Sequence, residues 1–278
     1  MAPGRLARIV VTVPDPEATA TFLRDGLHLA IAPVDDRLLV VCEGEHGSPD
    51  GQGAVELLQG DTHRVERLVF GVPDSVDLVD LGRAVGGRRL GDTVTGVEDP
   101  SGLLVTFEPM KALRAPAPAP SALRPRRMGH VNLNSPVPPA TARFFGDTLG
   151  LRLSEYIGEQ LFWMRTGTEH HAVALRPGEA RTAHHIGMEI AGWHAYQPLL
   201  DHLDSAGYKI EYGPGRHRPG RSLFVYVRDP SSGLRVELFA DMAHIDDPDA
   251  PPIGWQPGDR LTTTLNTWGP TPPESFLA

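Results

Sequence analysis

The sequence predicts an α+β protein of two similar domains, each built from two βαβββ modules. Three observations carry this expectation. Residues 8–29, RIVVTVPDPEATATFLRDGLHL, align without a gap with residues 130–151, HVNLNSPVPPATARFFGDTLGL. Phe22 then matches Phe144, Asp25 matches Asp147, and Leu27 and Leu29 match Leu149 and Leu151. The two halves also end alike, with EDPSGLLVTFEPM at 98–110 and RDPSSGLRVELFADM at 228–242. Finally, short β-rich runs alternate with helix-like segments within each half. Repetition over such lengths implies duplicated structural units.

The elements follow in order. A β-rich run at 9–13 leads into a helix-like segment at 16–27, and the second copy reads 130–134 followed by 139–149. Further short strands come next. The module then recurs, with 67–72 and 185–190 as new first strands and 194–206 as the next helical stretch. The expected boundaries are an N-terminal domain at 1–113, a linker at 114–126, a C-terminal domain at 127–243 and a tail at 244–278. The linker, RAPAPAPSALRPR, alternates Pro with Ala and reads as an extended, stiff spacer. The Pro- and Asp-rich tail reads as a cover with little regular structure, anchored by Trp255, Trp268 and Phe276.

Composition narrows the class. With 278 residues, 40% hydrophobic and 22% charged, the chain can bury a sizeable core and is expected to be soluble. A net charge of −9 argues against a nucleic-acid partner, which needs a concentrated basic surface. The basic cluster Arg124-Pro-Arg-Arg127 reads as a solvated linker end. Cys42 is the lone cysteine, so neither an intrachain disulfide nor a thiolate cluster can form, and a reducing cytoplasm is the expected compartment. The early run Ile9-Val10-Val11 is soon broken by Pro14 and Pro16, unlike a secretory signal. No apolar stretch approaches the ~20 residues that span a bilayer, so no membrane association is expected.

Three residues stand out chemically. In the strand-like run at 127–134, RMGHVNLN, Val131 and Leu133 point one way and His130, Asn132 and Asn134 the other. The apolar pair packs on a helix, so the polar face must look into a cavity. The same alternation places His184 with Ile186, Met188 and Ile190 on the helix-packed side. It places His185 with Gly187 and Glu189 on the cavity side. Glu237 sits between Val236 and Leu238, where a carboxylate is costly unless paired or bound to metal. A buried structural histidine, or a salt bridge from Glu237 to Arg235, would explain any one of these residues alone. Two histidines and a carboxylate on three separate strands are instead the ligand set of an open-faced non-haem Fe(II) site. Arg8, Arg67 and Thr106 fall where a second triad would lie, so a single functional metal is expected. The turn Gly213-Pro-Gly215 lacks a phosphate-loop pattern, and the chain contains no Gly-x-Ser-x-Gly elbow.

Over most of residues 5–242 the sequence resembles the two-domain type I extradiol dioxygenases of the vicinal oxygen chelate superfamily. The family's His, His and Glu metal ligands fall on His130, His185 and Glu237. Its acid/base histidine lies about 14 residues before the second ligand, which lands on His171 in EHHAVAL, with His170 as the neighbouring alternative. The signature Gly-x-His, aliphatic-Tyr and Asp-Pro falls on Gly215-Arg-His217, Val225-Tyr226 and Asp229-Pro230. One departure is an extra residue in Pro230-Ser-Ser-Gly233, ahead of the glutamate. Trp163 falls at the family's aromatic pocket wall, and Asn132 and His170 complete the expected substrate pocket.

The resemblance implies that each domain closes into a partly open mixed β-barrel. It implies an Fe(II) cofactor, with Mn(II) as the alternative, a catecholic substrate and O2, and a homo-oligomeric assembly serving aromatic hydrocarbon catabolism. The implied reaction opens the ring next to one hydroxyl and inserts both oxygen atoms. His171, expected to titrate near neutrality, would move protons, while His217 and Tyr226 would hydrogen-bond the reacting oxygens. Arg216, Arg218 and Arg260 are candidates for meeting a substrate carboxylate. Two other readings compete. A glyoxalase-type isomerase or thiol transferase draws ligands from two modules, usually with two glutamates, and Thr106 counts against it. A metal-free small-molecule-binding resistance protein would generally lack the His-His-Glu set.

Overall fold

The computed structural model describes residues 4–42, 50–116, 123–256 and 265–277. The N-terminal half runs β1 (Arg5–Val13), α1 (Pro16–Thr21), β2 (Ala30–Val34), β3 (Arg37–Cys42), β4 (Asp50–Gln59), β5 (Arg64–Val72), α2 (Leu78–Ala84), β6 (Arg88–Arg89), β7 (Thr95–Glu98), β8 (Leu104–Pro109) and β9 (Arg114–Pro116). The C-terminal half runs β10 (Arg127–Ser135), α3 (Pro138–Arg143), β11 (Arg152–Ile157), β12 (Leu161–Arg165), β13 (Val173–Pro177), β14 (Thr182–Glu189), α4 (Trp193–Ser205), β15 (Ile210–His217), β16 (Leu223–Arg228) and β17 (Arg235–Ala240). Each half is therefore βαβββ twice over. Local chemistry explains the helix starts. Asp15 caps α1 by accepting from the Ala18 amide at 2.9 Å, and Pro16 sits in the first turn, where a missing N–H costs nothing. Both α1 and α3 continue as one π-helical turn, Phe22–Gly26 and Phe144–Thr148, at aligned positions of the repeat.

Each half forms one mixed sheet. The first has the order β2-β3-β4-β1-β5-β8-β7-β6, with β9 added beside β4. The second repeats that order as β11-β12-β13-β10-β14-β17-β16-β15. The central pairs β1–β5 and β10–β14 are antiparallel, while β1–β4, β5–β8, β10–β13 and β14–β17 are parallel. Side chains alternate along each strand, so one face enters the core and the other lines the concave side. Ile9, Val11, Val131, Leu133, Ile186 and Met188 all belong to one buried cluster that runs through both halves.

The halves meet through specific bonds. Thr19 Oγ1 donates to Asp229 Oδ2 at 2.7 Å in a buried contact, and Asp229 also accepts from the amides and hydroxyls of Ser231 and Ser232. The Val65 amide donates to Arg181 O at 2.8 Å, and the Phe22 ring meets the Tyr208 ring edge-on at 5.0 Å. The thiol of Cys42 is buried at this junction, and burial pushes its pKa up to about 12.

The register shows what became of the second triad. His130, Gly187 and Glu237 form one rung across β10, β14 and β17, and Asn132 faces His185. In the first sheet the same rung is Arg8, Val69 and Thr106, and Val10 faces Arg67. Arg8 and Arg37 donate to the buried carboxylate of Glu56 at 3.4 and 2.9 Å, and Arg67 lies 3.9 Å from Glu108. An ion-pair cluster stands where the other half brings two histidines and a glutamate together.

Three expectations change. The Pro/Ala stretch is not a spacer throughout, because Arg114–Pro116 pairs with β4; residues 117–122 lie outside the described residues. The basic cluster is solvated only at Arg126: Arg124 is 6% exposed, and Arg127 is ion-paired to Glu189 at 2.7 Å and to Glu169. The tail has regular structure. It contributes β18 (Ile253–Trp255) beside β11, β19 (Asn266–Trp268) beside β15, and a helical turn (Glu274–Leu277). Trp255 donates to Glu155 and Phe276 is buried, whereas the Trp268 ring is exposed and meets only the exposed ring of Trp193 among the described aromatic rings. Among the described residues, no helix is long and apolar enough to cross a membrane.

Replacing Asp229 by Ala strands Thr19, Ser231 and Ser232 donors in a buried joint between the halves. A loss of about 3 kcal/mol is expected, read as a lower urea midpoint at unchanged slope.

Candidate metal centre

His130, His185 and Glu237 come from three adjacent strands, and their polar atoms converge. His130 Nε2 lies 2.7 Å and His185 Nε2 3.1 Å from Glu237 Oε2, and the two Nε2 atoms are 3.3 Å apart. All three residues are buried, with Glu237 at 2% exposure. Ligands on one face of an octahedron with ~2.1 Å bonds stand about 3.0 Å apart, against about 3.4 Å for a tetrahedron. The observed spacings favour the octahedral face. Glu237 Oε1 is buried without a hydrogen-bond partner, since His217 Nε2 approaches it at 3.4 Å without hydrogen-bonding alignment. The donor set and this unpartnered carboxylate oxygen fit a divalent cation.

Charge states agree with that fit. Burial alone would raise Glu237, but the opposing charge of His130 and the hydrogen bonds of both histidines hold it well below the usual carboxylate range. Burial pushes His185 down to about 4 despite the hydrogen bond to Glu237. Carboxylate and neutral imidazole are the forms that bind metal. Arg235, the expected salt-bridge competitor, turns away: it pairs with Glu211 at 2.6 and 3.0 Å and donates to His184 O.

Gly187 makes the arrangement possible. It occupies the middle of the rung His130–Gly187–Glu237, and a Cβ there would fall inside the His130 ring. The missing side chain lets the imidazole cross β14 to reach Glu237. Gly187 shares the cavity face with His185 in the sequence pattern, but its role needed the pairing register.

The reading of His184 requires correction. The pairing slips between Asn132–His185 and Leu133–Ala183, so His184 is the extra residue of a β-bulge. Strict alternation fails there, and His184 lines the cavity with His185 instead of facing a helix. The two Nδ1 atoms lie 2.8 Å apart, and His184 Nε2 is 2.8 Å from Phe276 O. With His185 Nε2 directed at the centre, its Nδ1–H donates to His184, whose Nε2–H donates to Phe276.

The remaining expected site residues surround this point. The His171 ring lies 4.4 Å from that of His130 and lines the cavity. Burial, reinforced by His130 and His170, holds His171 well below neutrality, so it is a neutral base and not the near-neutral titrating group expected. His217 Nε2 and Tyr226 Oη are hydrogen-bonded at 2.9 Å. Burial and the nearby Glu237 charge push Tyr226 well above its ordinary value, so it remains a phenol. Asn132 lines the cavity with its Oδ1 unpartnered, and Trp163 forms part of the wall. His170 does not line it. It stands behind His171, with their Nδ1 atoms 3.0 Å apart and its ring against Gly220.

The cavity measures about 240 Å³ and reaches past Leu161 and Ala174 to Arg176, Phe276 and Leu277. Arg216 and Arg218 are turned away, donating to Arg221 O and Asn266 O, and Arg260 lies outside the described residues. Sequence reasoning missed Gly187, Arg176 and Asn266, which bonds His217 Nδ1 at 3.1 Å.

Residues 127–238 match the model of the Glyoxalase/Bleomycin resistance protein/Dioxygenase superfamily. The match lies within the C-terminal half. Metapyrocatechase 2 of Cupriavidus necator is 35% identical over 158 residues, which are 55% of this chain and 47% of that protein. The manganese-dependent 2,3-dihydroxybiphenyl 1,2-dioxygenase of Geobacillus genomosp. 3 is 32% identical over 157 residues, 53% of this chain and 50% of that protein. The chain thus spans about half the length of the curated relatives it matches. Among solved structures, the Mn(II)-bound glyoxalase of Novosphingobium aromaticivorans aligns with a TM-score of 0.83 at 21% identity, covering 98% of this chain and 93% of that one. Homoprotocatechuate 2,3-dioxygenase of Brevibacterium fuscum, in complex with 3,4-dihydroxyphenylacetate, gives 0.80 at 22% identity, covering 99% and 91%. These likenesses show that the fold is shared along nearly all of the chain.

Gly187→Ala places a methyl group in the path of the His130 ring. The expected result is a folded protein by circular dichroism whose affinity for a divalent transition metal, measured by calorimetry, falls at least ~10-fold.

Proposed function

We propose that this protein is an extradiol dioxygenase that uses O2 to open a catechol ring next to one hydroxyl, with His130, His185 and Glu237 holding Fe(II) or Mn(II). The observation that carries this reading is the facial set of three ligands with His171, the His217–Tyr226 pair and Asn132 gathered around its open side. The named activities of the curated relatives support it.

When bound, the metal would supply vacant coordination positions and a path for electrons from the catechol to O2. Glu237 contributes the one formal negative charge, and imidazoles bind a metal in their neutral form, which would keep the centre electron-rich. His171, neutral and facing the cavity, accepts a proton from a catechol hydroxyl and returns it to oxygen later in the turnover. His217 and Tyr226 donate hydrogen bonds to oxygen atoms that become anionic. Asn132 Oδ1 is free to accept from a hydroxyl. Both atoms of O2 enter the product, one ring C–C bond breaks, and no outside reductant is consumed. The apolar wall of Trp163, Leu161 and Ala174 stacks against the ring and excludes water.

A glyoxalase-type activity is the second reading, favoured by the Mn(II)-bound glyoxalase neighbour. Thr106 at the register of Glu237 removes the second glutamate that such a site would use.

The direct test loads anaerobic protein with Fe(II) or Mn(II) and follows O2 uptake over a panel of catechols. Uptake with appearance of a yellow ring-opened product is expected; no uptake with either metal would overturn the reading. Glu237→Ala should fold yet retain no stoichiometric metal by elemental analysis. His171→Phe should keep its metal while kcat falls by about 100-fold or more; an unchanged kcat would remove His171 from the mechanism.

A further inference from the structure

Arg176 is an unusual neighbour for such a cavity. It lies on β13, where Asn132 pairs with Ala174 and Asn134 with Arg176, so Ala174 and Arg176 share the face turned to the site. Arg176 is thus about 7 Å farther along the strand than the Asn132–His185 rung. It is half-buried and lines the same cavity as His185 and Glu237. Between it and the centre lie Leu161, Trp163 and Ala174, and across from it Phe276 and Leu277 close the wall.

Its guanidinium is not neutralised. Among the described residues no carboxylate lies within ion-pair distance of Arg176, and its hydrogen bond is one donated to Leu277 O at 3.2 Å. Arg127, Arg181 and Arg235 of this half pair with carboxylates, and Arg165, which has none, gives its donors to Leu153 O, Ser154 Oγ and Pro248 O, whereas Arg176 has one backbone acceptor and faces the cavity. Burial and the charge of Arg235 both depress Arg176, with no carboxylate to offset them. A fork of several N–H donors with one weak backbone acceptor leaves donors available to a planar anion. The apolar stretch before it has no use for charge and suits hydrocarbon.

We propose that Arg176 binds the anionic end of a substrate side arm, so that the preferred substrate is a catechol bearing a short hydrocarbon arm that ends in a carboxylate. The inference rests on the proposed ring-cleaving function and adds the substituent to it. The ring is held at the three ligands, the arm lies along Leu161, Trp163 and Ala174, and the carboxylate meets the guanidinium at the mouth. Arg176 is then a specificity residue, touching the arm and not the reacting atoms.

The test compares dihydroxyphenylacetate and dihydroxyphenylpropanoate with their methyl esters, which keep shape and lose charge. In the metal-loaded protein one of the acids should have a KM about 10- to 100-fold below that of its ester. Arg176→Gln should bring that ratio near one, and Arg176→Lys should restore part of it. Equal KM values for acid and ester in the unaltered protein would overturn the proposal. So would a variant that raises both KM values together, since that marks Arg176 as a mere anchor of Leu277. A separate arm keeps this test independent of turnover. Calorimetric binding of acid and ester to metal-free protein should show the same charge preference, lost in Arg176→Gln. Preference without any ring cleavage would overturn the proposed reaction and leave the anion site standing; cleavage without preference would do the reverse.

Discussion

A carboxylate buried in an apolar strand has to be compensated, and Glu237 imposes that constraint on everything near it. Removing its charge from water costs several kcal/mol unless cations or hydrogen bonds replace the solvent. Arg235 is two residues away but committed to Glu211, so compensation falls to His130 and His185 and to the metal that the three groups would hold. That demand explains why the middle strand carries Gly187 and why β14 bulges at His184. Its charge, added to burial, also keeps the neighbouring Tyr226 a phenol. The cavity is polar where these groups meet and apolar beyond them, which is the division of labour of a small-molecule site.

The duplicated half solves the same geometric problem with different chemistry. At the registers of His130 and His185 it carries Arg8 and Arg67, and at that of Glu237 it carries Thr106, whose hydroxyl donates to Leu68 O. Guanidinium groups bring their own charge, so the buried Glu56 is balanced by arginines without a metal. One backbone thus supports two ways of filling a concave mixed sheet.

Much of this was legible in the sequence because the repeat and the period-two pattern both survive in the residues. The gapless match of 8–29 with 130–151 gave the duplication, and alternation along 127–134 gave the cavity face. What failed did so for identifiable reasons. Alternation cannot foresee a bulge, and so His184 went to the wrong side. A glycine has no chemistry to flag, so Gly187 shows its purpose only when a ring lies across it. His170 and His171 are adjacent in sequence, and only the packing against Gly220 tells which one is behind. Arg176 looked like any strand arginine until the absence of a nearby carboxylate became visible. The tail hid its strands because each is only three residues long and pairs with a partner a hundred or fifty positions away.

Those two short strands have a consequence for solubility. An open sheet exposes unpaired backbone groups along its outer strands, which invite pairing with other chains. The C-terminal sheet meets this hazard by adding β18 to one side and β19 to the other, so its long inner strands never form the boundary. The N-terminal sheet uses composition instead, with Pro33 in β2 at one border and the two-residue, doubly basic β6 at the other. The segment after residue 243 is therefore a guard against aggregation as much as a wall of the pocket. Its loss would turn a well-folded domain into one with two adhesive borders.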